Sequence, residues 1–263
     1  MKFSIYKYQG TGNDFVIIDD RKKNFPVDKK LIENLCNRRF GIGADGLMLL
    51  QDDEKSDFHM YYFNSDGNES TMCGNGGRSL VRFAHDLNVI SNKTSFNAID
   101  GLHDATIFPD KIALGMTQVE KIEEFEDHYF LNTGSPHHVE FVKNVETFDV
   151  FNKGKQIRNG APYFKEGTNV NFIEKIAEDT LFVRTYERGV EDETYSCGTG
   201  VTAAAIAAYR KGITNNHVHI KTLGGNLEVS FNEKDTGIIA DIQLIGPAKF
   251  VFKGEIDTDD FNF

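Results

Sequence analysis

Short runs of β-branched and aromatic residues, bounded by turn residues, predict a chain of many short strands with few helices. The clearest candidate strands cover residues 3–8, 15–19, 47–50 and 58–63. Two glycine-containing dipeptides, Asp100-Gly101 and Gly224-Gly225, indicate tight hairpin turns because glycine readily adopts the positive φ that such turns require. The pattern favours a mixed α/β (α+β) fold.

Apolar residues at helical spacing predict three helices. Asp28 is a suitable N-cap for the first, in which Leu31, Ile32 and Leu35 fall on one stripe. The second and third follow Cys73 and Cys197. The buried face of the second is predicted to contain five residues: Leu80, Val81, Phe83, Ala84 and Leu87. The third is rich in alanine and is predicted to end at Gly212, since glycine commonly terminates helices.

An internal repeat is the strongest organisational signal in the sequence. A shift of about 124 positions superimposes Phe58, Tyr62, Glu69, Cys73, Gly74 and Gly76 on Phe182, Tyr186, Glu193, Cys197, Gly198 and Gly200. A slightly smaller shift places Thr11-Gly12 on Thr133-Gly134. Such a long period predicts two copies of one strand-and-helix unit rather than a solenoid. We expect the seam between the copies near residues 116–120.

Composition and charge narrow the functional classes. The chain has 263 residues and a formal charge of −11, which argues against a nucleic-acid partner or an anionic membrane surface. It has no apolar run long enough to span a membrane and no signal-peptide core at its start, so we expect a cytoplasmic protein. Its three cysteines lie far apart, which argues against a disulfide framework or a structural zinc site.

Each copy of the repeat carries a cysteine followed by Gly-x-Gly at the start of a helix. A helix N-terminus favours the thiolate form, and glycines let a carboxylate approach the backbone N–H groups. Two opposed thiols suit removal of a proton from one face of a carbon and delivery to the other. The chemical alternative is thiol–disulfide redox, although redox cysteine pairs normally lie close together in sequence.

At these residues the chain resembles the diaminopimelate epimerase family, over essentially its whole length. The similar segments, in order, are GTGNDFVIID, RRFGIGADGLM, FNSDGNESTMCGNGGR, TGSPHHV, GTNVNF and ERGVEDETYSCGTG. The resemblance implies two pseudo-symmetric domains, each a barrel-like sheet around a central helix, with the active site in the cleft between them. The N-terminal domain is expected to span residues 1–117, with residues 249–263 packing back on it. The C-terminal domain is expected to span residues 118–248. The resemblance also implies a homodimer that needs no cofactor or metal.

The resemblance further implies roles for particular residues. Cys73 and Cys197 would be the two bases, and His137 and Glu187 would tune their protonation. The implied substrate-binding residues are Asn13, Asn64, Gly74, Asn75, Asn169, Glu187, Arg188, Gly198 and Thr199. Within this set, the N–H groups that follow each cysteine would hold the reacting carboxylate. Asn64, Asn169 and Arg188 would clamp the distal amino-acid end of the substrate.

Three positions depart from the family pattern. Gly46 stands where some members have glutamine, so a side-chain contact is expected to be lost. Ser135 replaces asparagine in the Gly-Asn-Pro-His turn, and we expect it to keep one hydrogen bond but not two. Phe252 stands where a tyrosine makes dimer contacts, and losing that hydroxyl still permits packing.

Other features are expected to be structural. Residues 41–46 fit G-x-G-x-x-G, but they follow a helix and precede a strand, the reverse of the dinucleotide-binding order. Cys36 is expected in the core. His138, which neighbours His137 on a strand, is expected to be exposed. The acidic C-terminus, EIDTDDFNF, is expected to be a solvated end.

The resemblance, taken with these patterns, implies an epimerase that interconverts LL- and meso-2,6-diaminopimelate, a precursor of lysine and peptidoglycan. One alternative is a proline or hydroxyproline racemase, although a cyclic amino acid has no distal end to clamp. The other is a non-catalytic amino-acid-binding or thiol-redox protein of the same fold.

Overall fold

The computed structural model describes residues 1–261 and divides into two compact units. Unit 1 comprises Met1–Leu114 and the C-terminal segment that begins at Pro247, and unit 2 is Gly115–Gly246. The strands are β1 (Lys2–Gly10), β2 (Asn13–Asp19), β3 (Gly46–Gln51), β4 (Phe58–Asn64), β5 (Lys93–Ala98), β6 (Gly101–Ile107), β7 (Ile112–Gly115), β8 (Ile122–Glu124), β9 (His128–Asn132), β10 (Pro136–Phe141), β11 (Asn169–Ala177), β12 (Thr180–Glu187), β13 (Asp192–Thr194), β14 (His217–Thr222), β15 (Gly225–Glu233), β16 (Ile239–Gly246) and β17 (Lys249–Asp257). The α-helices are α1 (Lys29–Cys36), α2 (Gly74–Asp86), α3 (Val150–Asn159) and α4 (Gly198–Arg210).

The two units share one topology, which confirms the predicted duplication. In unit 1 the strand order is β17-β1-β2-β3-β4-β5-β6-β7, with parallel pairs at β2–β3 and β4–β5. In unit 2 it is β8-β9-β10-β11-β12-β14-β15-β16, with parallel pairs at the equivalent places, β10–β11 and β12–β14. The short β13 also pairs with β12.

Each sheet curves around one helix. Helix α4 packs against β9, β10, β11, β12, β14, β15 and β16, and α2 packs against β1, β2, β3, β4, β6 and β17. A helix about 10 Å wide can contact so many strands, spaced about 4.8 Å apart, only when the sheet wraps round it. The alanine-rich sequence of α4 suits this position, since Val201–Ala208 are buried on every side and small side chains let the strands approach closely.

Most predicted elements are present with bounds extended by one or two residues. Asp28 caps α1 by accepting a hydrogen bond from the Leu31 amide, and Gly212 follows α4 with a φ of +72°. The two predicted hairpins join β5 to β6 and β14 to β15. On α2, Leu87 is the C-cap and only half-buried, whereas the other four predicted face residues are buried.

The acidic C-terminus is not simply a solvated end in its described part. Residues up to Asp257 belong to β17, where Ile256 is buried and pairs with Phe3 of β1. The Thr258 amide then donates to the Met1 carbonyl. Residues 262 and 263 of this segment lie outside the described part of the chain. None of the described helices is long and apolar enough to cross a bilayer.

Candidate active site

The two repeated cysteines occupy the same place in their units. Cys73 is the N-cap of α2 and Cys197 is the N-cap of α4, each with extended backbone dihedrals. The first turn of a helix has no intrahelical acceptors for its N–H groups, and its dipole favours negative charge. Each cysteine therefore stands at the start of a potential anion-binding turn.

In unit 1, two asparagines surround Cys73. The Cys73 Sγ lies 3.6 Å from Asn13 Oδ1, and the Asn75 Nδ2 lies 3.4 Å from the same oxygen. The other end of the Asn13 amide, Nδ2, donates to the Asp45 carboxylate. Asn13, which was predicted to bind substrate, therefore lies beside the first cysteine and the first turn of its helix.

A charged network holds Asp45 in place. Arg38 bridges the two carboxylates Asp14 and Asp45 at 2.6 and 2.7 Å, and Lys7 adds an ion pair with Asp14 at 2.7 Å. Burial opposes ionisation of Asp14, but Arg38 and Lys7 outweigh it and lower the pKa of Asp14. The carboxylate that orients Asn13 thus belongs to a mutually stabilised cluster.

Arg78 lies beneath the first turn of α2 and is fully buried. Its guanidinium donates to Asn75 Oδ1 at 2.6 Å and to the Gly74 carbonyl at 3.1 Å. Burial lowers the pKa of Arg78 to about 10, with Cys73 acting in the opposite direction, so the group stays charged at neutral pH. This cation favours negative charge at Cys73.

In unit 2, a chain of hydroxyl contacts leads to Cys197. The Cys197 Sγ lies 3.4 Å from Thr199 Oγ1, which lies 3.2 Å from Ser135 Oγ. The same serine oxygen lies 3.0 Å from His137 Nε2 and 3.1 Å from Asn169 Nδ2. Four residues, Thr199, Ser135, His137 and Asn169, therefore come together around the Cys197 thiol.

His137 is an uncharged group in this arrangement. It is fully buried on β10, and burial together with Arg188 lowers its pKa to about 3. Its Nδ1 faces Asn171 Nδ2 at 3.0 Å. A neutral imidazole presents one donor and one acceptor, so His137 acts here through hydrogen bonds.

The predicted distal residues of unit 2 are adjacent. The Arg188 amide donates to Asn169 Oδ1 at 2.9 Å, and the exposed Arg188 guanidinium donates to the Glu166 carbonyl at 3.1 Å. Glu187, the last residue of β12, accepts a hydrogen bond from the Thr194 hydroxyl at 2.9 Å. In unit 1, Asn64 ends β4 opposite Gly46 of β3.

Comparison with known proteins identifies the family. The profile of the family described as diaminopimelate epimerase matches residues 5–122 and 129–251. A diaminopimelate epimerase of Flavobacterium psychrophilum is 56% identical over 96% of this chain and 99% of its own length. The diaminopimelate epimerase of Chlorobaculum tepidum is 42% identical over 94% of this chain and 98% of its own. The chain belongs to the diaminopimelate epimerase family. The resemblance seen in the motifs is thereby confirmed.

Solved structures show how widely this fold is shared. A PhzF-family phenazine biosynthesis protein of Bacillus anthracis has a TM-score of 0.78 at 14% identity, covering 98% of this chain and 99% of its own. A hydroxyproline epimerase of Agrobacterium vitis has a TM-score of 0.69 at 12% identity, covering 100% of this chain and 95% of its own. At such low identities these likenesses concern the fold alone.

Two departures from the epimerase family pattern have structural explanations. A Cβ atom at Gly46 would lie 2.5 Å from the Phe63 carbonyl and 2.6 Å from the Tyr62 ring, so β3 has no room for a side chain here. The expectation that Ser135 keeps only one hydrogen bond is wrong. Its hydroxyl lies within hydrogen-bonding distance of three side chains, because the turn before β10 brings it between β11 and α4.

The expectation that His138 is exposed is also wrong. His138 is 6% exposed, stacks on His128 with ring centroids 4.1 Å apart, and has Nδ1 3.0 Å from the Tyr163 hydroxyl. It points to the opposite face of β10 from His137, as strand alternation requires, but that face is covered too. Cys36 is buried as predicted, and burial raises its thiol pKa to about 12.

Several side chains that support the candidate site were not predicted from the sequence. Asp45 and Arg78 orient the side chains around Cys73, whereas Asn171 and the hydroxyl of Thr199 do so around Cys197. One signal was available for Asn171. It stands two residues after Asn169 in a strand, which puts both amides on one face of β11.

Proposed function

We propose that this protein interconverts LL- and meso-2,6-diaminopimelate by proton transfer at one α-carbon, with Cys73 and Cys197 as the two bases. The observation that carries the proposal is the placement of both cysteines at the N-caps of equivalent helices in a duplicated fold. Membership of the diaminopimelate epimerase family supports the choice of substrate.

The reaction needs one thiolate and one thiol. The thiolate removes the α-hydrogen as a proton and becomes a thiol, while the electron pair of the C–H bond moves toward the carboxylate. The other thiol then gives its proton to the opposite face of the carbon and becomes a thiolate. Atoms and charges balance, and the reverse reaction exchanges the two roles. Every step is a proton transfer, so the proposal needs no organic cofactor or metal.

The first turns of α2 and α4 supply the groups that would bind the reacting carboxylate. We assign this role to the N–H groups of Gly74, Asn75, Gly198 and Thr199. Removal of the α-proton increases the negative charge on the carboxylate oxygens, so donors fixed at these positions stabilise the transition state more than the ground state.

The far end of the substrate is assigned to Asn64, Asn169 and Arg188. Arg188 is exposed and its planar guanidinium can pair with a carboxylate through two hydrogen bonds. Asn169 holds the Arg188 backbone in position through its Oδ1. Glu187, next to Arg188, is assigned to the same substrate contacts and to tuning of the cysteines.

Substrate choice is the direct test of this function. Reduced protein incubated with LL-diaminopimelate, without added cofactor, should form the meso isomer, detected by chiral chromatography. L-Proline and trans-4-hydroxy-L-proline should remain unchanged, because neither offers a distal carboxylate to Arg188. Racemisation of proline with no change in diaminopimelate would overturn the assignment in favour of a cyclic amino acid. Binding of diaminopimelate without isomerisation would identify a binding protein.

We also propose that the enzyme works in the cytoplasm as a homodimer. A cytoplasmic location suits the mechanism because both catalytic thiols must stay reduced. For the dimer, β17 exposes Phe250, Val251 and Phe252, which are 52%, 52% and 42% exposed. Three consecutive exposed apolar residues on one strand are typical of a contact surface.

A further inference from the structure

We propose that the two cysteines rest in opposite protonation states, Cys197 as the thiolate and Cys73 as the thiol, and that Ser135 is a positioning residue for the Cys197 state. This inference rests on the proposed function in one respect, the use of both cysteines as bases. It is drawn from the directions of the hydrogen bonds that Asn13 makes with Cys73 and Thr199 makes with Cys197.

Two amides on β11 have orientations fixed by backbone groups. Asn169 Oδ1 accepts from the Arg188 amide, so its Nδ2 must be the atom that faces the Pro136 carbonyl and Ser135 Oγ. Asn171 Nδ2 faces the His138 carbonyl at 3.0 Å, so this end of the amide is also a donor. Carbonyl oxygens cannot donate and backbone amides cannot accept, which leaves no alternative orientation.

The Asn171 amide then fixes the tautomer of His137. Because Asn171 Nδ2 donates to His137 Nδ1, the proton of the neutral ring is on Nε2. That N–H points at Ser135 Oγ. Ser135 therefore accepts from both His137 and Asn169, which occupies its two lone pairs. Its own proton can only be donated to its third neighbour, Thr199 Oγ1.

The last hydrogen bond in this chain reaches the sulfur atom of Cys197. Since Thr199 Oγ1 accepts the proton from Ser135, its own hydroxyl proton is available for Cys197 Sγ, 3.4 Å away. A sulfur atom that accepts such a hydrogen bond at a helix N-terminus is stabilised as the thiolate. Thr199, Ser135 and His137 thus form a one-directional chain of donors that ends on Cys197.

Cys73 has the opposite environment. The Asp45 carboxylate can only accept from Asn13, so Asn13 Nδ2 faces Asp45 and Asn13 Oδ1 faces Cys73 Sγ. An amide oxygen has no proton to give, so this contact is favourable only when Cys73 carries its own. Arg78 is the opposing influence, because its charge favours the Cys73 thiolate through the first turn of α2. The direct contact favours the thiol at rest, and Arg78 keeps ionisation accessible during turnover.

Equivalent positions of the repeat differ in whether the group near the cysteine sulfur accepts or donates a hydrogen bond. Asn75 and Thr199 both lie two residues after their cysteine, and Asn13 corresponds to Ser135 in the shift that aligns the two Thr-Gly pairs. An acceptor amide in unit 1 is thus replaced by a donor hydroxyl chain in unit 2. The duplicated half-sites have diverged into one that holds a thiol and one that holds a thiolate.

The test is site-resolved alkylation of the unliganded, reduced protein. Iodoacetamide reacts with thiolates, so the rate at each cysteine, followed by peptide mass spectrometry from pH 5 to 10, reports its protonation. We expect Cys197 to react faster at pH 7 and to have the lower apparent pKa. A hydrogen bond to a charged group corresponds to about one to two pKa units, so Thr199→Val should raise the apparent pKa of Cys197 by that amount and slow its alkylation about tenfold or more at pH values well below the wild-type pKa.

Cys73, measured in the same sample, is the internal control and should keep its profile. Thr199→Ser retains the hydroxyl and should restore the fast rate at Cys197, which separates the hydrogen bond from general damage to the fold. Ser135→Ala should slow Cys197 by a smaller factor, since Thr199 loses only its orientation. A lower apparent pKa at Cys73 than at Cys197, or a Cys197 profile unchanged in Thr199→Val, would overturn the assignment. An unchanged profile in Ser135→Ala alone would overturn the role of Ser135. No substrate is used, so these results stand apart from the test of epimerase activity.

A second inference concerns a surface of unit 2 that has no part in this reaction. We infer that His217, His219 and Glu228 form a site for a divalent transition-metal cation of the zinc class. His217 and His219 alternate on β14 and so share a face, and Glu228 pairs directly with His219 across β15. One ligand atom from each residue lies within 4.8 Å of the others, and His217 Nε2 is 2.9 Å from Glu228 Oε2. Two imidazoles and one carboxylate suit zinc, which commonly takes three protein ligands and water.

Equilibrium dialysis against micromolar ZnCl2 at pH 7.5 tests this site. The wild type should bind one more zinc ion per chain than His219→Asn, and His59→Asn, on β4 of unit 1, should match the wild type. Zinc should also raise the melting temperature of the wild type and of His59→Asn but not that of His219→Asn. Equal zinc content and equal thermal shifts in all three proteins would overturn the site.

Discussion

At the residue scale, the groups that surround Cys197 are mostly neutral hydrogen-bonding side chains rather than charged ones. His137 was predicted to tune the protonation of the cysteines, and this role stays a prediction. The structure defines how it would act. The ring is uncharged at physiological pH and transmits the orientation of Asn171 to Ser135. A charged imidazolium would have to donate from both ring nitrogens. Its Nδ1–H would then face the Asn171 Nδ2 group, which is itself a donor.

The depressed pKa of His137 has a consequence for stability. The pKa of this side chain falls from about 6.5 in the unfolded chain to about 3 in the folded protein. Below pH 6.5 the unfolded state therefore binds a proton that the folded state does not, so the free energy of unfolding falls as the pH falls toward 3. In urea titrations between pH 6.5 and 4.5, wild type should lose up to about 1.4 kcal/mol per pH unit more than His137→Gln. Equal slopes in the two proteins would contradict a buried neutral histidine.

The sequence alone could predict which residues belong to the candidate site, but it could not predict equally well what surrounds each of them. Cys73 and Cys197 could be predicted because they repeat at one spacing, with glycines behind each. The burial of His138 could not, since it depends on Tyr163 and His128, which come from segments elsewhere in the chain. The same holds for Ser135, whose three partners lie on β10, β11 and α4.

At the element scale, α2 and α4 are equivalent helices with unequal surroundings. The glycine three residues after each cysteine illustrates the difference. A Cβ atom at Gly200 would lie 2.3 Å from Asn171 Oδ1, whereas the nearest atom to a Cβ at Gly76 is the Met48 sulfur at 3.4 Å. The strand behind α4 approaches its first turn closely, and that approach brings Asn171 to His137.

These two glycines form a matched pair of substitutions. Gly200→Ala should displace Asn171 and destabilise the protein by about 1–3 kcal/mol, as overpacking of a tight site usually does. Gly76→Ala meets ordinary contact distances and gains helix propensity of up to about 1 kcal/mol, so it should be neutral or slightly stabilising. Chemical denaturation measures both. Similar losses at the two positions would contradict the close approach of β11 to α4.

The helices also show where hydrophobic patterning is informative. The long apolar face of α2 and the alanine-rich α4 were evident in the sequence. Helix α3 was not predicted, because only Val150 and Gly154 are buried along it and a two-residue stripe gives no helical period. Gly154 is needed at the contact itself, where a Cβ atom would lie 2.3 Å from the Tyr186 Cβ.

At the scale of the whole molecule, duplication accounts for the two cysteines, the two helix N-termini and the matching strand orders. The sequence indicated this duplication because the two Cys-Gly-x-Gly segments and their flanking turns kept their spacing. It did not reveal that equivalent positions, such as Asn75 and Thr199, now make different hydrogen bonds. Those differences depend on neighbouring strands rather than on the motif.

The proposed homodimer leads to a prediction about β17. Phe252→Glu places a charge in an exposed apolar strand, so it should shift the protein from dimer to monomer in sedimentation-velocity experiments at micromolar concentration. Leu102→Glu, at a site 66% exposed on β6, is the matched control and should leave the dimer intact. A monomeric wild type, or a Phe252→Glu variant that remains a dimer, would contradict the assignment of this strand to the interface.

In the proposed reaction, two cysteines exchange protons with opposite faces of one α-carbon. It is tested most directly by incubating the protein with LL-diaminopimelate in D2O and following the α-proton by NMR during the first turnovers. We expect newly formed meso product to carry deuterium at the inverted centre while the remaining LL substrate keeps its proton, since the incoming hydrogen comes from a second, solvent-equilibrated thiol. Cys73→Ala and Cys197→Ala should each abolish epimerisation. Product that retains the original proton, or full epimerisation by either variant, would contradict it.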